Sequence, residues 1–191
     1  IGICEDNPNK AIDVNIFGSQ KLAKAAVKNG VKNIIAISTD KSINPSCVYG
    51  STKFLMEKLM LEFGFSVFQG VNFFFSTGSV LDLWDRFRKE KLPIAVNSNN
   101  TIRYFVTAED VAEKLLDSLD KKGQTISMDT CYRAGLHDLY AAYADYHKYF
   151  DRKEYVSISA EKLVEELPEG VEVIEATPEI LKDHFKKYYG N

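Results

Sequence analysis

Five of the polar side chains between residues 39 and 53 are candidates for proton transfer to or from a ligand, namely Thr39, Asp40, Lys41, Tyr49 and Lys53. Two of them, Tyr49 and Lys53, are four positions apart at the start of a predicted helix and therefore share one face. An ammonium near a phenol favours the phenolate, so we expect Lys53 to lower the pKa of Tyr49 from its usual value of about 10. Such a tyrosine can accept a proton from a hydroxyl group near neutral pH. A Tyr–Lys pair at this spacing also arises by chance in many helices.

A polar loop just before this helix adds an acid and a base. Residues 38–41 are Ser-Thr-Asp-Lys and follow residues 31–37, an apolar and β-branched run typical of a strand buried on both faces. Ligands of open α/β sheets bind at the carboxyl ends of such strands, where the Ser and Thr hydroxyls would lie. The alternative is that Asp40 and Lys41 form an ordinary solvated surface pair.

The elements around these residues alternate between helix and strand. Residues 8–28 have apolar side chains at helical spacing, begin with Pro after Asn and end at Asn-Gly. Residues 49–63 resume this periodicity, and residues 65–75 resemble a second strand. The order α, β, α, β with short connections predicts right-handed crossovers and a parallel sheet.

The pattern changes after Gly78, where helices and strands alternate less regularly. The predicted elements are a helix over 80–89, an extended piece over 92–96, a strand over 101–106, a helix from Thr107 to about residue 119, a strand over 124–128, an aromatic-rich helix over 136–150, a helix over 160–167, a strand over 171–174 and a last helix capped by Thr177 and Pro178.

The composition limits the possible partners. The chain has 24 Lys and Arg against 27 Asp and Glu, a formal net charge of -3, which argues against a broad nucleic-acid-binding or anionic-membrane surface. It contains no run of about 18 apolar residues, so no transmembrane helix is predicted. Its 3 cysteines have no metal-ligand spacing, which predicts reduced thiols in a cytoplasmic protein and no metal site.

The segment ISTDKSINPSCVYGSTKFLMEKL, residues 37–59, resembles the core of the extended short-chain dehydrogenase/reductases. Within them it is most similar to the C5-inverting UDP-N-acetylglucosamine 4,6-dehydratases of the polysaccharide-biosynthesis family. Residues 11–26 resemble a family helix with its Asn at Asn15, and residues 100–119 resemble a Thr-Arg-Phe segment with Arg103 at the Arg. Residues 161–167 resemble the family's Gly-Glu-Lys-Leu-His-Glu-Glu-Leu. The resemblance covers most of the chain and is strong to about residue 77.

This resemblance implies an α/β fold with a Rossmann-like parallel sheet whose N-terminal half is missing, and a smaller α+β part for the substrate. Residues 1–77 would be the C-terminal half of the NAD(P)-binding domain, and residues 78–191 would be mainly substrate-binding. A homo-oligomer is expected, with a nucleotide sugar as substrate and NADP (or NAD) as cofactor.

The resemblance also implies a role for each candidate residue. Tyr49, helped by Lys53, would remove the proton of the C4 hydroxyl of the sugar while Thr39 hydrogen-bonds the C4 oxygen. Lys41 would abstract the C5 proton, and Asp40 would protonate the departing C6 hydroxyl. The implied cofactor-binding residues are Asn15, Ser38, Tyr49 and Lys53, and the implied substrate-binding residues are Arg103 and Glu161.

Three departures from the family pattern leave alternatives open. The 11 glycines form no Gly-rich phosphate-binding turn and the chain begins with Ile, so we expect that an N-terminal part is missing. The family's Arg-Tyr-Gly-Asn-Val is replaced from Asn72 onward, with Phe75 at the Asn, and its Arg-Pro-Gly is replaced from Ile158 onward. The alternatives are an NAD(P)-dependent nucleotide-sugar epimerase or reductase, or a truncated non-catalytic homologue that binds an intact relative.

Overall fold

The computed structural model describes residues 1–97, 99–155 and 165–190, which fall into two compact units. The first unit consists of Ile1–Val71, Glu109–Asp129 and Val164–Val171. The second unit consists of Asn72–Ala108, Thr130–Leu163 and Glu172–Asn191. Both contain parallel strand pairs and helices, so the predicted α/β class is confirmed.

The first unit is built around a three-stranded parallel sheet in the order β1-β2-β6. The register pairs Ile35 with Ser66 and Thr39 with Gly70, so both strands end at the same edge of the sheet. The elements of this unit are α1 (Gly2–Asp6), α2 (Pro8–Ile12), a π-helical turn (Asp13–Gly18), α3 (Ser19–Lys28), β1 (Ile35–Thr39), a 3₁₀ turn (Asp40–Ser42), α4 (Val48–Glu62), β2 (Ser66–Gly70), α6 (Ala108–Asp117, of which the first residue belongs to the second unit) and β6 (Thr125–Ile126).

Helix α4 packs on the sheet and on α3 through small and flexible apolar side chains. The cluster has Met56 and Met60 from α4, each no more than 2% exposed, against Ala23 and Val67. Small residues on α3 allow the two helices to approach closely, and methionine fills the remaining irregular space. This packing fixes α4 relative to the end of β1.

The second unit contains a four-stranded mixed sheet and a separate two-stranded parallel sheet. Strand β5 pairs parallel with β3 and antiparallel with β7, and β7 pairs parallel with β9. The elements are β3 (Asn72–Phe73), α5 (Val80–Lys89), β4 (Ile94–Asn97), β5 (Ile102–Val106), β7 (Thr130–Gly135), α7 (Leu136–His147), β8 (Arg152–Tyr155), β9 (Glu172–Glu175) and α8 (Pro178–Tyr189).

The structure corrects several predicted boundaries. The predicted strand over 31–37 is displaced to Ile35–Thr39, and the single strand predicted over 65–75 is two strands that belong to different sheets. The aromatic-rich helix ends at His147 because Lys148 adopts a left-handed conformation. Strands β7 and β8 were not predicted, and most of the helix predicted over 160–167 lies outside the described residues. No helix in the described residues combines the length and apolar character needed to cross a membrane.

A buried polar network joins α5, α7 and α8 in the second unit. The Asp85 carboxylate accepts hydrogen bonds from the Tyr143 hydroxyl at 2.6 Å and the Tyr189 hydroxyl at 2.8 Å. The His147 ring packs against both tyrosines, and its side chain is 10% exposed. Burial lowers the pKa of His147 from 6.5 to about 4, so this histidine is neutral in the folded protein at neutral pH.

We predict that His147 makes the fold sensitive to acid. Because its pKa is lower in the folded than in the unfolded chain, stability is complete above about pH 6.5 and falls as the pH approaches 4. The free energy of unfolding should therefore fall by about 2–3 kcal/mol between pH 7 and pH 4 through this residue. Urea unfolding at the two pH values should show a smaller fall for His147→Phe. An equal fall in both proteins would contradict the prediction.

Candidate active site

The candidate catalytic residues lie where the end of β1 meets the first turn of α4. Thr39 ends β1 and begins the 3₁₀ turn, and its Oγ1 accepts a hydrogen bond from the Lys41 backbone N–H at 3.4 Å. Thr39 Oγ1 also donates to Asp40 Oδ1 at 2.8 Å. Lys41 Nζ donates to Asp40 Oδ1 at 3.0 Å and Oδ2 at 3.3 Å. The Asp40 side chain is 1% exposed, so this acid–amine pair is buried and is not a solvated surface pair.

Tyr49 lies within reach of this turn. Burial raises the pKa of Tyr49 above its usual value of 10.0, because the phenolate loses hydration. The positive charge of Lys41 and a hydrogen bond between the Tyr49 and Thr39 side chains act in the opposite direction. The structure therefore brings Thr39, Asp40, Lys41 and Tyr49 into one site.

The contacts of Lys53 differ from the expectation that its amine lowers the pKa of Tyr49. Its Nζ donates to the Ile37 backbone carbonyl at 2.6 Å. Burial lowers the pKa of Lys53, while Glu57 raises it. The main charge that lowers the pKa of Tyr49 is Lys41, from the neighbouring turn, and the net shift of that pKa is upward. The expectation that Lys53 produces a tyrosine with a lowered pKa is therefore wrong for this structure, because desolvation outweighs the nearby positive charge.

Asn15 and Ser38 lie beside the same helix. Asn15 belongs to the π-helical turn, and its Nδ2 donates to Thr52 Oγ1 at 3.0 Å. Single π-helical turns of this kind occur frequently at functional sites. The Ser38 hydroxyl donates to the buried Glu57 carboxylate, so its oxygen could contact a cofactor only as an acceptor.

Glu57 is a functional candidate that the sequence analysis missed. Its side chain accepts hydrogen bonds from the hydroxyls of Ser38 and Ser42, and from Gln69 Nε2 at 2.9 Å. Glu57 is 4% exposed and lies four and eight positions after Lys53 and Tyr49. The sequence does contain an indication of this role. Glu57 follows Tyr49 and Lys53 at helical spacing, so it shares their helix face, which packs inward.

Two further glutamates contact the site from distant segments. The Glu5 carboxylate accepts hydrogen bonds from the backbone N–H groups of Val48 at 3.2 Å and Tyr49 at 3.1 Å, so it caps α4. Glu165 Oε1 lies 3.4 Å from Lys41 Nζ. Nothing in the local sequence around Tyr49 or Lys41 predicts either contact.

Gly50 allows the 3₁₀ turn and α4 to approach each other. A Cβ atom at this position would lie 2.2 Å from the Lys41 carbonyl oxygen, a distance that real Cβ atoms do not adopt. The glycine between Tyr49 and Ser51 is therefore a steric requirement of the site.

Arg103 lies in the second unit, beside a cavity of about 430 Å³. Ser79 also lines this cavity and caps α5 by accepting a hydrogen bond from the Asp82 N–H at 3.4 Å. The Arg103 guanidinium donates to the Ile102 carbonyl at 3.0 Å. Glu161 and Ile158 lie outside the described residues.

Phe75, which stands at the position of the family Asn, packs on α8. Its ring stacks on Tyr188 with a centroid distance of 4.0 Å and meets Phe185 edge-on at 5.8 Å. Its backbone has a φ of 62°, an uncommon conformation for a bulky residue. The substitution therefore contributes aromatic packing in the second unit, where a polar side chain was expected.

Comparison with known proteins identifies the class to which this fold and site belong. The family model described as "Polysaccharide biosynthesis protein" matches residues 1–181, so the chain belongs to this family, and the predicted resemblance is confirmed. The UDP-N-acetylglucosamine 4,6-dehydratase (inverting) of Campylobacter jejuni is 32% identical over 133 residues, which cover 63% of this chain and 39% of that protein.

An epimerase and a solved dehydratase structure are also similar to this chain. The UDP-glucose 4-epimerase of Rickettsia canadensis is 31% identical over 122 residues, covering 59% of this chain and 36% of the epimerase. The structure of DesIV, a dTDP-glucose 4,6-dehydratase from Streptomyces venezuelae with NAD bound, has a TM-score of 0.78 at 11% identity, covering 100% of this chain and 64% of DesIV. That structure supports the fold alone. The matched segments span between about one fifth and two fifths of the length of the curated relatives of this chain.

We predict that Gly50→Ala destabilises the protein by about 1–3 kcal/mol, because the backbone around Lys41 must move to admit the methyl group. Urea unfolding measures this change. Ser51→Ala, at the exposed next position, is the control and should change the free energy of unfolding by less than about 0.5 kcal/mol. Equal stabilities of the two variants would mean that the close approach is not present.

We also predict that Lys41→Met raises the pKa of Tyr49 further, because the Lys41 charge is the largest influence that lowers it. Tyrosine labelled with ¹³C at Cζ reports this titration by NMR, and Tyr49→Phe assigns the signal. Lys53→Met should shift the same pKa less. A larger shift for Lys53→Met would restore the original expectation that Lys53 controls the phenol.

Proposed function

We propose that this chain is part of a sugar-nucleotide 4,6-dehydratase that acts on UDP-N-acetylglucosamine. The product would be a 4-keto-6-deoxy sugar with inverted C5, made for surface polysaccharide or glycan synthesis. The observation that carries the proposal is the buried contact of Asp40 with Lys41, 3.0 Å long, beside Thr39 and Tyr49. An elimination needs one group that removes a proton and another that gives a proton, in addition to the group that assists oxidation.

The donors near Tyr49 suit a nicotinamide dinucleotide. The Lys53 amine has three N–H donors, of which the Ile37 carbonyl takes one, and the Tyr49 phenol adds a hydroxyl; such groups suit the ribose hydroxyls. When bound, the dinucleotide supplies the acceptor that takes a hydride from C4 and returns it to C6. NADP is proposed over NAD, and Asn15 and Ser38 complete the proposed cofactor-binding set.

The proposed steps follow from the side chains of the site. Tyr49 acts as the phenolate, which the Lys41 charge favours against desolvation, and accepts the proton of the C4 hydroxyl while Thr39 hydrogen-bonds the C4 oxygen. The resulting 4-keto group acidifies C5–H, and Lys41 accepts that proton. Asp40 gives its proton to the C6 hydroxyl, which leaves as water. Arg103, beside its cavity, and Glu161 are proposed to bind the nucleotide sugar.

The dehydration needs Asp40 protonated and Lys41 neutral. The ion pair reaches this form when one proton moves from Lys41 Nζ to Asp40 Oδ1 along their 3.0 Å hydrogen bond. Elimination then returns a proton to Lys41 and removes one from Asp40, which restores the ion pair. When the hydride returns to C6, C5 takes one proton from solvent on the face opposite to Lys41, and Tyr49 releases to solvent the proton that it accepted from the C4 hydroxyl.

We further propose that residues 1–77 belong to the cofactor domain and residues 78–191 mainly to the substrate part, in a cytoplasmic homo-oligomer. An epimerase or reductase is the second candidate, favoured by the 31% identity to a UDP-glucose 4-epimerase. Such an enzyme would retain the C6 hydroxyl and would not need an acid at Asp40.

The test is to incubate the protein that contains residues 1–191 with UDP-N-acetylglucosamine and NADP and to identify the product by NMR. We expect a 4-keto-6-deoxy sugar. Asp40→Asn should lower its formation by about 10²–10⁴-fold, because the leaving hydroxyl loses its acid. Asp117→Asn, at an exposed position on α6, is the control and should retain full activity.

Two outcomes would reject the proposal. Folded protein with bound cofactor that produces no sugar product would exclude the dehydratase. A product that keeps its C6 hydroxyl, together with a nearly unchanged rate for Asp40→Asn, would identify an epimerase or reductase.

A further inference from the structure

The Lys41 amine is held between two carboxylates that come from distant parts of the chain. Asp40 is its neighbour in sequence and contacts Nζ at 3.0 and 3.3 Å. Glu165 contacts Nζ at 3.4 Å from 124 positions further along. The exposed fractions of the three side chains are 10% for Lys41, 1% for Asp40 and 3% for Glu165. The three groups therefore form one buried cluster.

A second contact fixes the segment that carries Glu165. The next residue, Glu166, accepts a hydrogen bond from Asn44 Nδ2 at 3.0 Å. Two adjacent glutamates thus contact the 3₁₀ turn and the loop that follows it. Because Asn44 and Lys41 are three positions apart, these contacts hold residues 165 and 166 against one short stretch of chain.

The charges of the cluster also favour this arrangement. A buried carboxylate without a counter-charge is unfavourable, and the Lys41 ammonium is the positive charge that both Asp40 and Glu165 contact. A contact with Asp40 alone is compatible with several rotamers of the four-carbon Lys41 side chain, because Asp40 is the adjacent residue. A second acceptor on the amine removes that freedom.

The geometry of an ammonium makes Glu165 important for the direction of the amine. Lys41 Nζ has three tetrahedral donors. In the neutral amine that acts as the base, two N–H groups that donate to Asp40 and Glu165 leave the lone pair in the third direction. A base must approach its proton within hydrogen-bond distance and along a defined direction, so fixing this direction affects proton transfer from carbon.

We propose that Glu165 is a positioning residue for Lys41, which orients the amine for abstraction of the C5 proton. This inference rests on the proposed function and adds to it a residue that acts through Lys41. In the step, the C5 proton passes to Lys41 Nζ, and the C5–H electron pair stays on the sugar. The pair then forms the C5–C6 double bond as the C6 hydroxyl leaves with the Asp40 proton as water. The ammonium that forms on Lys41 again lies between two carboxylates.

A purely structural role for Glu165 makes a different prediction. If Glu165 only attached its segment to the first unit, its loss would slow hydride transfer at C4 and proton abstraction at C5 together. A positioning role separates the two steps, because hydride transfer depends on Tyr49 and proton abstraction depends on Lys41.

The first experiment needs no substrate. In the protein labelled with ¹⁵N-lysine, the ammonium resonance of Lys41, assigned by its absence in Lys41→Met, should be sharp because the amine is held by hydrogen bonds. Glu165→Ala should broaden it through faster exchange with water, and Glu169→Ala, at an exposed position of the same segment, should not. A Lys41 resonance that is the same in the wild type and Glu165→Ala overturns the inference.

The second experiment separates the two steps in D₂O with UDP-N-acetylglucosamine and NADP. Absorbance at 340 nm would report hydride transfer, and NMR would report deuterium at C5. Relative to hydride transfer, Glu165→Ala should slow deuteration at C5 by at least about tenfold, because one hydrogen bond of a charged group is lost. Reduced cofactor should accumulate as a result. Glu165→Gln, which keeps a neutral acceptor, should recover part of the loss, and Glu169→Ala should match the wild type.

The outcomes distinguish the two proposals. Equal slowing of both steps, or unchanged deuteration in Glu165→Ala, overturns the positioning role. If the wild type neither reduces the cofactor nor exchanges C5, the proposed function fails. The exchange of the Lys41 ammonium in the first experiment then decides whether Glu165 orients the amine. If Glu165→Ala does not fold, Glu165→Gln replaces it and should show the same effects at a smaller size.

Discussion

The candidate site depends on one buried carboxylate, that of Glu57. It accepts hydrogen bonds from Ser38 at the end of β1, from Ser42 in the 3₁₀ turn and from Gln69 in β2. These contacts join two strands and a turn to α4. Because the donors come from three elements, the carboxylate fixes the register of the turn against the helix. The positions of Asp40 and Lys41 relative to Tyr49 follow from that register.

Burial, more than spacing along the helix, determines the acid–base character of the site. Desolvation raises the pKa of Tyr49 and lowers that of Lys53, so each residue is shifted toward its neutral form. The compensating charge on the phenol comes from Lys41, in a different element. Proton transfer in this site is therefore governed by how closely the turn approaches the helix.

The sequence predicts much of the order of helices and strands in the fold. Most features that it does not predict depend on contacts between residues distant in the sequence. The alternation of helix and strand and the spacing from Asp40 to Tyr49 are local patterns, so they are readable. Glu57 and Glu165 act through partners that folding brings together, and no local pattern gives those partners. Strand β7 (Thr130–Gly135) mixes polar and apolar residues without alternation, and its strand form comes from pairing with β5. The ring contacts of Phe75 likewise come from α8, which is distant in the sequence.

The cap on α4 has a consequence for how any ligand lies in the site. Glu5 accepts hydrogen bonds from the N–H groups of Val48 and Tyr49, and Cys47 Sγ accepts one from Gly50 at 3.3 Å. The positive end of this helix, which commonly attracts phosphate, is therefore already neutralised by a carboxylate. The Glu5 carboxylate therefore disfavours an anionic group of a ligand at the start of α4. An uncharged ring of the same ligand can approach the Tyr49 phenol. The cap thus favours one orientation of a ligand beside Tyr49, with the charged end of the ligand away from the start of α4.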